Sequence, residues 1–162
     1  MLEVLHSVEH LLPVLLRKEE WQSLLIDYHP PTVERLWRDW NGYRIYLHCI
    51  HPCLPEEALF HPHPWPSAVR VVSGSYEMGV GSGEGEAPPP VVTRLILHEV
   101  DEYEMTDPLG WHYVRPLGGS SMALMVTGKP WVRWSPTSDK PLSPLPFMKA
   151  RQLLEFFQGA YQ

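Results

Sequence analysis

Two histidines separated by one residue, His61 and His63, form the first pattern in this chain that suits chemistry. In an extended backbone, side chains alternate between two sides, so these two imidazoles point the same way. The prolines beside them fix φ and offer no N–H to a sheet, which keeps the segment stiff at an edge or in a lining loop. Because two adjacent imidazoles suit a transition metal, residues 61–66 are predicted to supply half of a metal site.

A third nitrogen donor lies further along the chain. His112 follows a Pro-x-Gly turn, Pro108 to Gly110, and precedes a run of residues that favour a β-strand. No other group of histidines in the chain combines an H-x-H pair with a turn that starts a strand. His112 is therefore the candidate for a third nitrogen ligand beside His61 and His63.

These motifs resemble those of the cupin superfamily. The first cupin motif, an H-x-H pair followed by an apolar strand that ends in glycine, reads here as His61-Pro62-His63 and then Val69 to Gly74. The second motif, a Pro-x-Gly turn and a histidine, reads as Pro108 to His112. The resemblance covers residues 43–134. It implies an all-β core, an antiparallel double-stranded β-helix (cupin or jelly-roll barrel). The cupin topology would bring the strand of His112 beside the first motif, so the resemblance implies one divalent metal bound by His61, His63 and His112 inside the barrel.

Two positions depart from the cupin pattern. The first motif expects a glutamate near Ser67 or Ala68, and the second expects an asparagine near Pro116. Without the glutamate, the ligands are three neutral imidazoles, which is similar to the three-histidine centre of cysteine dioxygenase-like cupins. Such a centre leaves the metal its full charge and open coordination positions. Iron(II) is the preferred metal, and nickel, manganese and zinc are alternatives.

A fourth ligand would have to come from elsewhere in the chain. Glu77, Glu104 and His98 are the candidates, and His98 fits best. The pocket lining is expected to come from Trp65, Arg70, Tyr76, His98, Trp111 and Met125. An inward Arg70 would hold a carboxylate through two parallel hydrogen bonds, and an outward Arg70 would be solvated. No side chain is assigned as a catalytic acid or base.

Length and charge limit the class of protein. A chain of 162 residues suits one domain with a substantial core. The 19 acidic and 13 basic side chains form no basic stripe, which argues against nucleic acid and anionic membrane as partners. No apolar run reaches the roughly 20 residues of a membrane span, and no leader peptide is predicted. We expect a cytoplasmic protein with a small-molecule partner.

The two cysteines, Cys49 and Cys53, are predicted to be free thiols in a reducing compartment. Together with His48 and His51 they resemble a cluster of metal ligands, but their spacing fits no known zinc pattern. The tryptophans and the apolar N-terminal segment also favour a homodimer, since large apolar patches usually mark interfaces.

The elements that must position these residues follow from the spacing of apolar side chains. Residues 1–40 are predicted to be helical, with helices over Leu2–Leu16, Lys18–Ile26 and Thr32–Trp40 that cover the outside of a sheet or form a dimer contact. An Asn41-Gly42 turn then opens the β region. Residues 146–159 form an amphipathic C-terminal helix, and the whole chain is one domain.

The β region, residues 43–134, is predicted to contain about eight or nine short strands, the last of them over Trp131–Trp134. Short strands separated by turn signals are typical of a sandwich or barrel. Within this region, Gly81 to Pro90 is rich in Gly, Glu and Pro, and we expect a mobile connection that the fold does not require.

Two functions of different classes remain open at this point. The first is a metal-dependent enzyme that acts on a small molecule, with an oxygenase-type reaction preferred. The second is a non-catalytic cupin that binds a ligand or metal as a sensor or structural subunit. Since cupins also include isomerases, the resemblance fixes no reaction. A pocket with open space beside the metal would favour the enzyme.

Overall fold

A computed structural model describes residues 1–18 and 20–162, and over these residues the chain forms ten β-strands between two helices. The elements are α1 (Leu2–Leu15), β1 (Gln22–Ile26), β2 (Val33–Trp40), β3 (Tyr43–Ile50), β4 (His61–Pro62), β5 (Ser67–Ser73), β6 (Ser75–Ser82), β7 (Thr93–His98), β8 (Glu102–Met105), β9 (Gly110–Pro116), β10 (Ser121–Thr127) and α2 (Phe147–Ala160).

The strands form two antiparallel sheets. The larger sheet has the order β1-β2-β3-β10-β5-β8, and the smaller sheet has the order β4-β9-β6-β7. β10 lies between β3 and β5, and β9 lies between β4 and β6, so strands that are distant in sequence pair in space. This arrangement confirms the predicted double-stranded β-helix with a helix near each end of the chain.

The predicted helices over residues 18–26 and 32–40 are wrong, because these residues contain strands β1 and β2. β2 pairs with β3 along its whole length, from Val33 opposite Ile50 to Trp40 opposite Tyr43. The apolar positions of β2 fit helical spacing as well as a strand, and pairing with β3 decides between them. Residues 131–134, predicted as a strand, form no strand either.

The Asn41-Gly42 turn connects β2 to β3 as a tight hairpin. Both residues have positive φ, 49° at Asn41 and 81° at Gly42, which is the backbone of a two-residue hairpin turn. Such a turn requires a strand on each side of it. The sequence therefore contained a signal for β2 that the helical spacing outweighed.

The main hydrophobic core lies between the helices and the outer face of the larger sheet. Leu5, Val8 and Leu12 of α1 and Phe157 of α2 are completely buried there against strand residues such as Leu124. Neighbouring strand residues point the other way, between the sheets, where Val69 and Met125 form a smaller apolar cluster. The helices thus stabilise the sheet from outside and leave the space between the sheets for a site. Neither of the described helices is long and apolar enough to span a bilayer.

Candidate metal centre

Three imidazoles converge in the space between the two sheets. His61 of β4 lies directly opposite His112 of β9, and His63 follows two residues after His61 on the same side. The ring centroids of His63 and His112 are 4.2 Å apart, those of His61 and His112 are 5.0 Å apart, and those of His61 and His63 are 5.5 Å apart. One nitrogen of each ring lies within 4.8 Å of the others. The structure therefore brings together the three histidines that the sequence singled out.

Hydrogen bonds orient the rings. Nδ1 of His61 lies 2.8 Å from the carbonyl oxygen of Leu59, to which Nδ1–H donates, so Nε2 keeps its lone pair. Nδ1 of His63 lies 3.4 Å from the Ser67 hydroxyl. Backbone or hydroxyl partners that fix a ring in this way are typical of metal-binding histidines.

Nε2 of His63 and Nε2 of His112 lie 2.7 Å apart. Two neutral rings at this distance share one proton, whereas a cation between them would use the lone pairs of both. Adjacent ligands about 2.1 Å from an octahedral metal are about 3 Å apart, close to the separation here. Nδ1 of His112 is buried and has no hydrogen-bond partner among the described residues. This donor set fits a divalent cation.

The environment keeps all three imidazoles neutral. Burial, opposed by the hydrogen bond to Leu59, lowers the pKa of His61 to about 4. Burial, reinforced by the charge of His61, lowers the pKa of His63 to about 3. Burial and the two neighbouring histidines hold the pKa of His112 well below its ordinary value. At neutral pH the rings therefore offer lone pairs without having to release protons.

The histidines line a cavity of about 180 Å³ between the sheets. This volume is below the roughly 300 Å³ at which typical ligand pockets begin, so the cavity suits a small molecule. Apolar side chains make up part of its walls, and the polar side chains include five histidines and Arg35. No Asp or Glu contributes to the walls that the structure describes.

Three of the predicted pocket residues, Trp65, Tyr76 and Met125, line this cavity. The side chains of Arg70, His98 and Trp111 do not, so those predictions require correction. Successive residues of a strand point to opposite sides, and the sequence did not show which parity each strand would take.

Arg70, Trp111 and His98 lie outside the cavity, and the structure shows the contacts or exposure of each. Arg70 faces α1, with Nε 3.2 Å from Glu9 and Nη1 2.5 Å from Glu102. Trp111 points away from its neighbour His112 and donates from Nε1 to the carbonyl oxygen of Gly83. His98 is exposed at the end of β7.

The proposed acidic fourth ligands are engaged elsewhere. Glu77 accepts a hydrogen bond of 2.8 Å from the Tyr113 hydroxyl. Glu104 lies 2.8 Å from the N-terminal ammonium group of Met1. Over residues 1–18 and 20–162, the group at the cavity with ligand atoms within 4.8 Å of one another is that of His61, His63 and His112. His29 and His48 also line the cavity, outside this group.

Among the pocket residues that were not assigned from the sequence, Arg35 and His48 form a hydrogen-bonded pair. They are cross-strand partners on β2 and β3 and both line the cavity. Arg35 Nε donates to His48 Nε2 at 2.9 Å. Because residues 32–40 were predicted to be a helix, Arg35 was not considered as a residue facing the cavity. The Asn41-Gly42 turn was the signal for a strand at these residues.

The cluster of His48, Cys49, His51 and Cys53 is divided by strand alternation. Cys49 and His51 face the other side of the sheet, where His51 Nε2 lies 3.2 Å from Glu34 Oε1. Glu34, Cys49 and His51 form a second group with ligand atoms within 4.8 Å of one another. In this group the carboxylate of Glu34 already pairs with Lys149 at 3.2 Å. Both cysteines are free thiols, as predicted.

Comparison with solved structures identifies proteins of similar fold. Hydroxypropylphosphonic acid epoxidase from S. wedmorenis is 18% identical with a TM-score of 0.51, over 67% of this chain and 56% of the epoxidase chain. The iron(II) form of HppE is 17% identical with a TM-score of 0.52, over the same shares of the two chains. The chain thus spans just over half the length of these neighbours. No protein-family model and no curated protein matches it. At these identities, the likeness is one of fold, that of a cupin barrel.

Proposed function

We propose that this protein is a metal-dependent cupin that binds one divalent cation through His61, His63 and His112 and acts on a small molecule in the adjoining cavity. The observation that carries the proposal is the convergence of three neutral imidazoles, with nitrogens within 4.8 Å of one another, on a cavity of about 180 Å³. Neutral nitrogen donors at this spacing suit a divalent transition metal.

Iron(II) is the proposed metal and an oxygenase-type reaction the proposed chemistry, with nickel, manganese and zinc as alternatives. His61, His63 and His112 would hold iron(II) through neutral nitrogens, and the metal would keep its full charge and supply open positions for O₂ and a substrate oxygen. The iron(II) form of HppE is an example of this metal in a protein of similar fold. The affinity order of divalent metals alone does not select iron, so the metal must be measured.

The residues around the histidines have positioning roles in this proposal. The carbonyl oxygen of Leu59 fixes the ring of His61, and the prolines of the H-x-H segment keep its backbone extended. Trp65, Tyr76 and Met125 supply apolar surface that excludes water from the bound molecule. No described carboxylate lines the cavity as a general base.

A non-catalytic sensor or structural subunit is the alternative from another class, and a cupin isomerase is a second enzymatic one. The open volume beside the histidines favours an enzyme over a purely structural metal site, because a structural site is closed around its ion. An isomerase would use the same pocket without consuming O₂.

Oxygen uptake tests the proposed chemistry. Protein loaded anaerobically with iron(II) is mixed with a panel of small keto acids, hydroxy acids and diketones, and O₂ consumption is followed with an electrode. We expect uptake with at least one compound, and none with zinc-loaded protein or with His63→Ala. Binding of panel compounds without any O₂ uptake would contradict the oxygenase and favour the alternatives.

A further inference from the structure

We infer that Arg35, positioned by His48, forms an anion-binding site in the cavity, and that the small-molecule ligand carries an oxyanion group such as a carboxylate or phosphonate. The inference deepens the proposed function by naming the ligand class, and it rests on that proposal only in taking the cavity as a ligand pocket.

Arg35 enters the cavity from the larger sheet. It lies opposite His48 in the register of β2 and β3, and both side chains line the same cavity as the three histidines. Its guanidinium carbon is 4.6 Å from the ring centroid of Tyr46, and its Nε donates to His48 Nε2 at 2.9 Å. An aromatic face and a hydrogen bond together fix the plane of the guanidinium group.

The charge of Arg35 has no acidic partner among the described residues. Several other arginines pair with carboxylates, such as Arg44 with Asp39, Arg70 with Glu9 and Glu102, and Arg151 with Glu155, while Arg133 donates to backbone carbonyl oxygens. Within the described part of the chain, the Nη atoms of Arg35 make no hydrogen bond of their own, and no Asp or Glu lines the cavity. A guanidinium group stays protonated in proteins, Arg35 is half-buried, and withdrawing a charge from water is costly unless the charge is paired.

The free edge of Arg35 suits an oxyanion. Because Nε is engaged by His48, the two Nη groups remain, and their N–H bonds form the fork that binds a carboxylate or phosphonate through two parallel hydrogen bonds. His48 accepts at Nε2, so its own proton is on Nδ1 and the ring is neutral. Burial, followed by the charge of Arg35, holds the pKa of His48 well below its ordinary value. His48 therefore orients Arg35 without cancelling its charge.

The charges of the groups around the cavity also favour an anionic ligand. The imidazoles of His61, His63 and His112 are neutral, so a divalent cation bound there and Arg35 would together bring three positive charges. No negative side chain of the described residues opposes them. A ligand with an oxyanion at one end and a metal-binding group at the other would neutralise part of this charge and fit a cavity of about 180 Å³.

A binding experiment with matched probes tests the inference. Propionate, methylphosphonate and the neutral propionamide are titrated into the purified protein, whose metal content is measured first, and chemical-shift changes give the dissociation constants. We expect at least one anion to bind about tenfold or more tightly than propionamide, since a charged pair with two hydrogen bonds is stronger than a neutral one. The tighter of the two anions identifies the preferred group.

Substitutions test whether Arg35 causes the preference for anions over propionamide. Arg35→Met should bind the anions no more tightly than propionamide, and Arg35→Lys should retain part of the preference as a point charge without the fork. Arg70→Met is the matched control, because Arg70 lies outside the cavity, and it should bind like the wild type. His48→Phe should weaken anion binding less than Arg35→Met does, whereas His48→Gln, which offers an acceptor oxygen, should restore it.

A stability measurement accompanies the titration and shows whether each variant folds. Arg35→Met should melt at or above the wild-type temperature without ligand, because it removes an unpaired charge, while Arg70→Met should melt lower because it breaks two ion pairs. If Arg35→Met does not fold, Arg35→Lys carries the comparison.

The inference is overturned if no probe binds, if propionamide binds as tightly as the anions, or if Arg35→Met keeps the anion preference. Its outcome is separable from that of the proposed function. His63→Ala should lose metal but keep an anion preference that depends on Arg35. Wild-type protein that binds no metal yet prefers the anions would refute the metal centre and leave the Arg35 site standing.

Discussion

His63 and His112 present their Nε2 atoms to each other at 2.7 Å, although 49 residues separate them in the chain. The smaller sheet creates this relationship, because β4 pairs with β9 and sets His61 directly opposite His112. Burial keeps the rings neutral, and the apolar pocket provides no carboxylate from the described residues to stabilise a charged form. The three imidazoles are thus disfavoured from binding protons and keep lone pairs that suit a metal cation.

The first prediction concerns the pH dependence of stability in metal-free protein. The pKa is about 4 for His61 and about 3 for His63, below the ordinary value of 6.5. Between about pH 6.5 and those values, the unfolded chain binds more protons than the folded chain, so the free energy of unfolding falls as the pH falls. We expect a loss of several kcal/mol from pH 7.5 to 4.5, measured by urea unfolding with a chelator present.

A substitution at His63 tests whether the pH dependence of stability comes from the three histidines. His63→Leu removes one buried imidazole and should show a smaller loss of stability over the same pH range than the wild type. His10→Leu, at an exposed position of α1, is the control and should keep the wild-type dependence. An identical slope in wild type and His63→Leu would contradict the assignment.

The second prediction concerns the close contact between β6 and β9. Gly79 lies opposite Tyr113, and a Cβ at Gly79 would lie 2.0 Å from Cε1 of the tyrosine ring. That ring is held by hydrogen bonds with Glu77 and Arg94, so it cannot move freely. Gly79→Ala should therefore destabilise the protein by about 1–3 kcal/mol, measured by chemical denaturation.

Gly159 in α2 is the matched control. A Cβ there meets no atom within 4 Å, and alanine favours the helix over glycine, so Gly159→Ala should stabilise the protein by about 0.5–1 kcal/mol. If both substitutions change stability equally, the tight approach of Gly79 to Tyr113 is not maintained in solution.

The third prediction narrows the expectation for the segment Gly81 to Pro90. Gly81 is buried in β6, and the Gly83 carbonyl accepts hydrogen bonds of 3.0 Å from Trp111 Nε1 and from Arg133 Nη2. The beginning of the segment is therefore anchored, and just beyond its end the Val92 N–H donates to the Val80 carbonyl oxygen at 2.8 Å. The dispensable part is residues 84–88, which are exposed. Replacing them with two glycines should change the free energy of unfolding by less than about 1 kcal/mol. A loss of several kcal/mol would show that these residues pack on the protein.

The fourth prediction is that the chain forms a homodimer through the edge strand β7. Leu95 is 43% exposed and Ile96 is 58% exposed on this strand, which pairs only with β6 among the described strands. An exposed apolar edge strand can pair with a second copy of itself. Sedimentation should show a dimer at micromolar concentration, and Ile96→Glu should shift it towards monomer. A wild-type monomer at high micromolar concentration would count against the dimer.

The sequence predicted the β-barrel from local signals, and it predicted the meeting of the three histidines from local motifs together with the strand pairing that the resemblance to cupins implies. The H-x-H pair fixes which side two rings occupy, and the Pro-x-Gly turn starts the strand that carries His112. Turn residues between short alternating runs were likewise sufficient to predict antiparallel strands, and helical spacing predicted α1 and α2 but misassigned β1 and β2.

Which other side chains enter the cavity depends on strand register, and register is set by pairing with strands that are distant in the chain. Arg35 and Arg70 are both arginines within strands, and only pairing with neighbouring strands places Arg35 in the cavity and Arg70 against α1. A shift of one residue would exchange the two sides of either strand. Trp111 was misplaced for the same reason, since it must point away from the cavity when its neighbour His112 points into it.

The metal content of the histidine variants tests the central proposal most directly. Wild-type protein, purified without added metal and analysed for its elements, should contain about one divalent ion per chain, about 2.0–2.2 Å from three nitrogens by X-ray absorption. Cys49→Ser, in the second cluster, should retain that ion, while the double variant His61→Ala/His63→Ala should contain none and keep the wild-type circular dichroism spectrum. Full metal occupancy in the folded double variant would contradict the three-histidine centre.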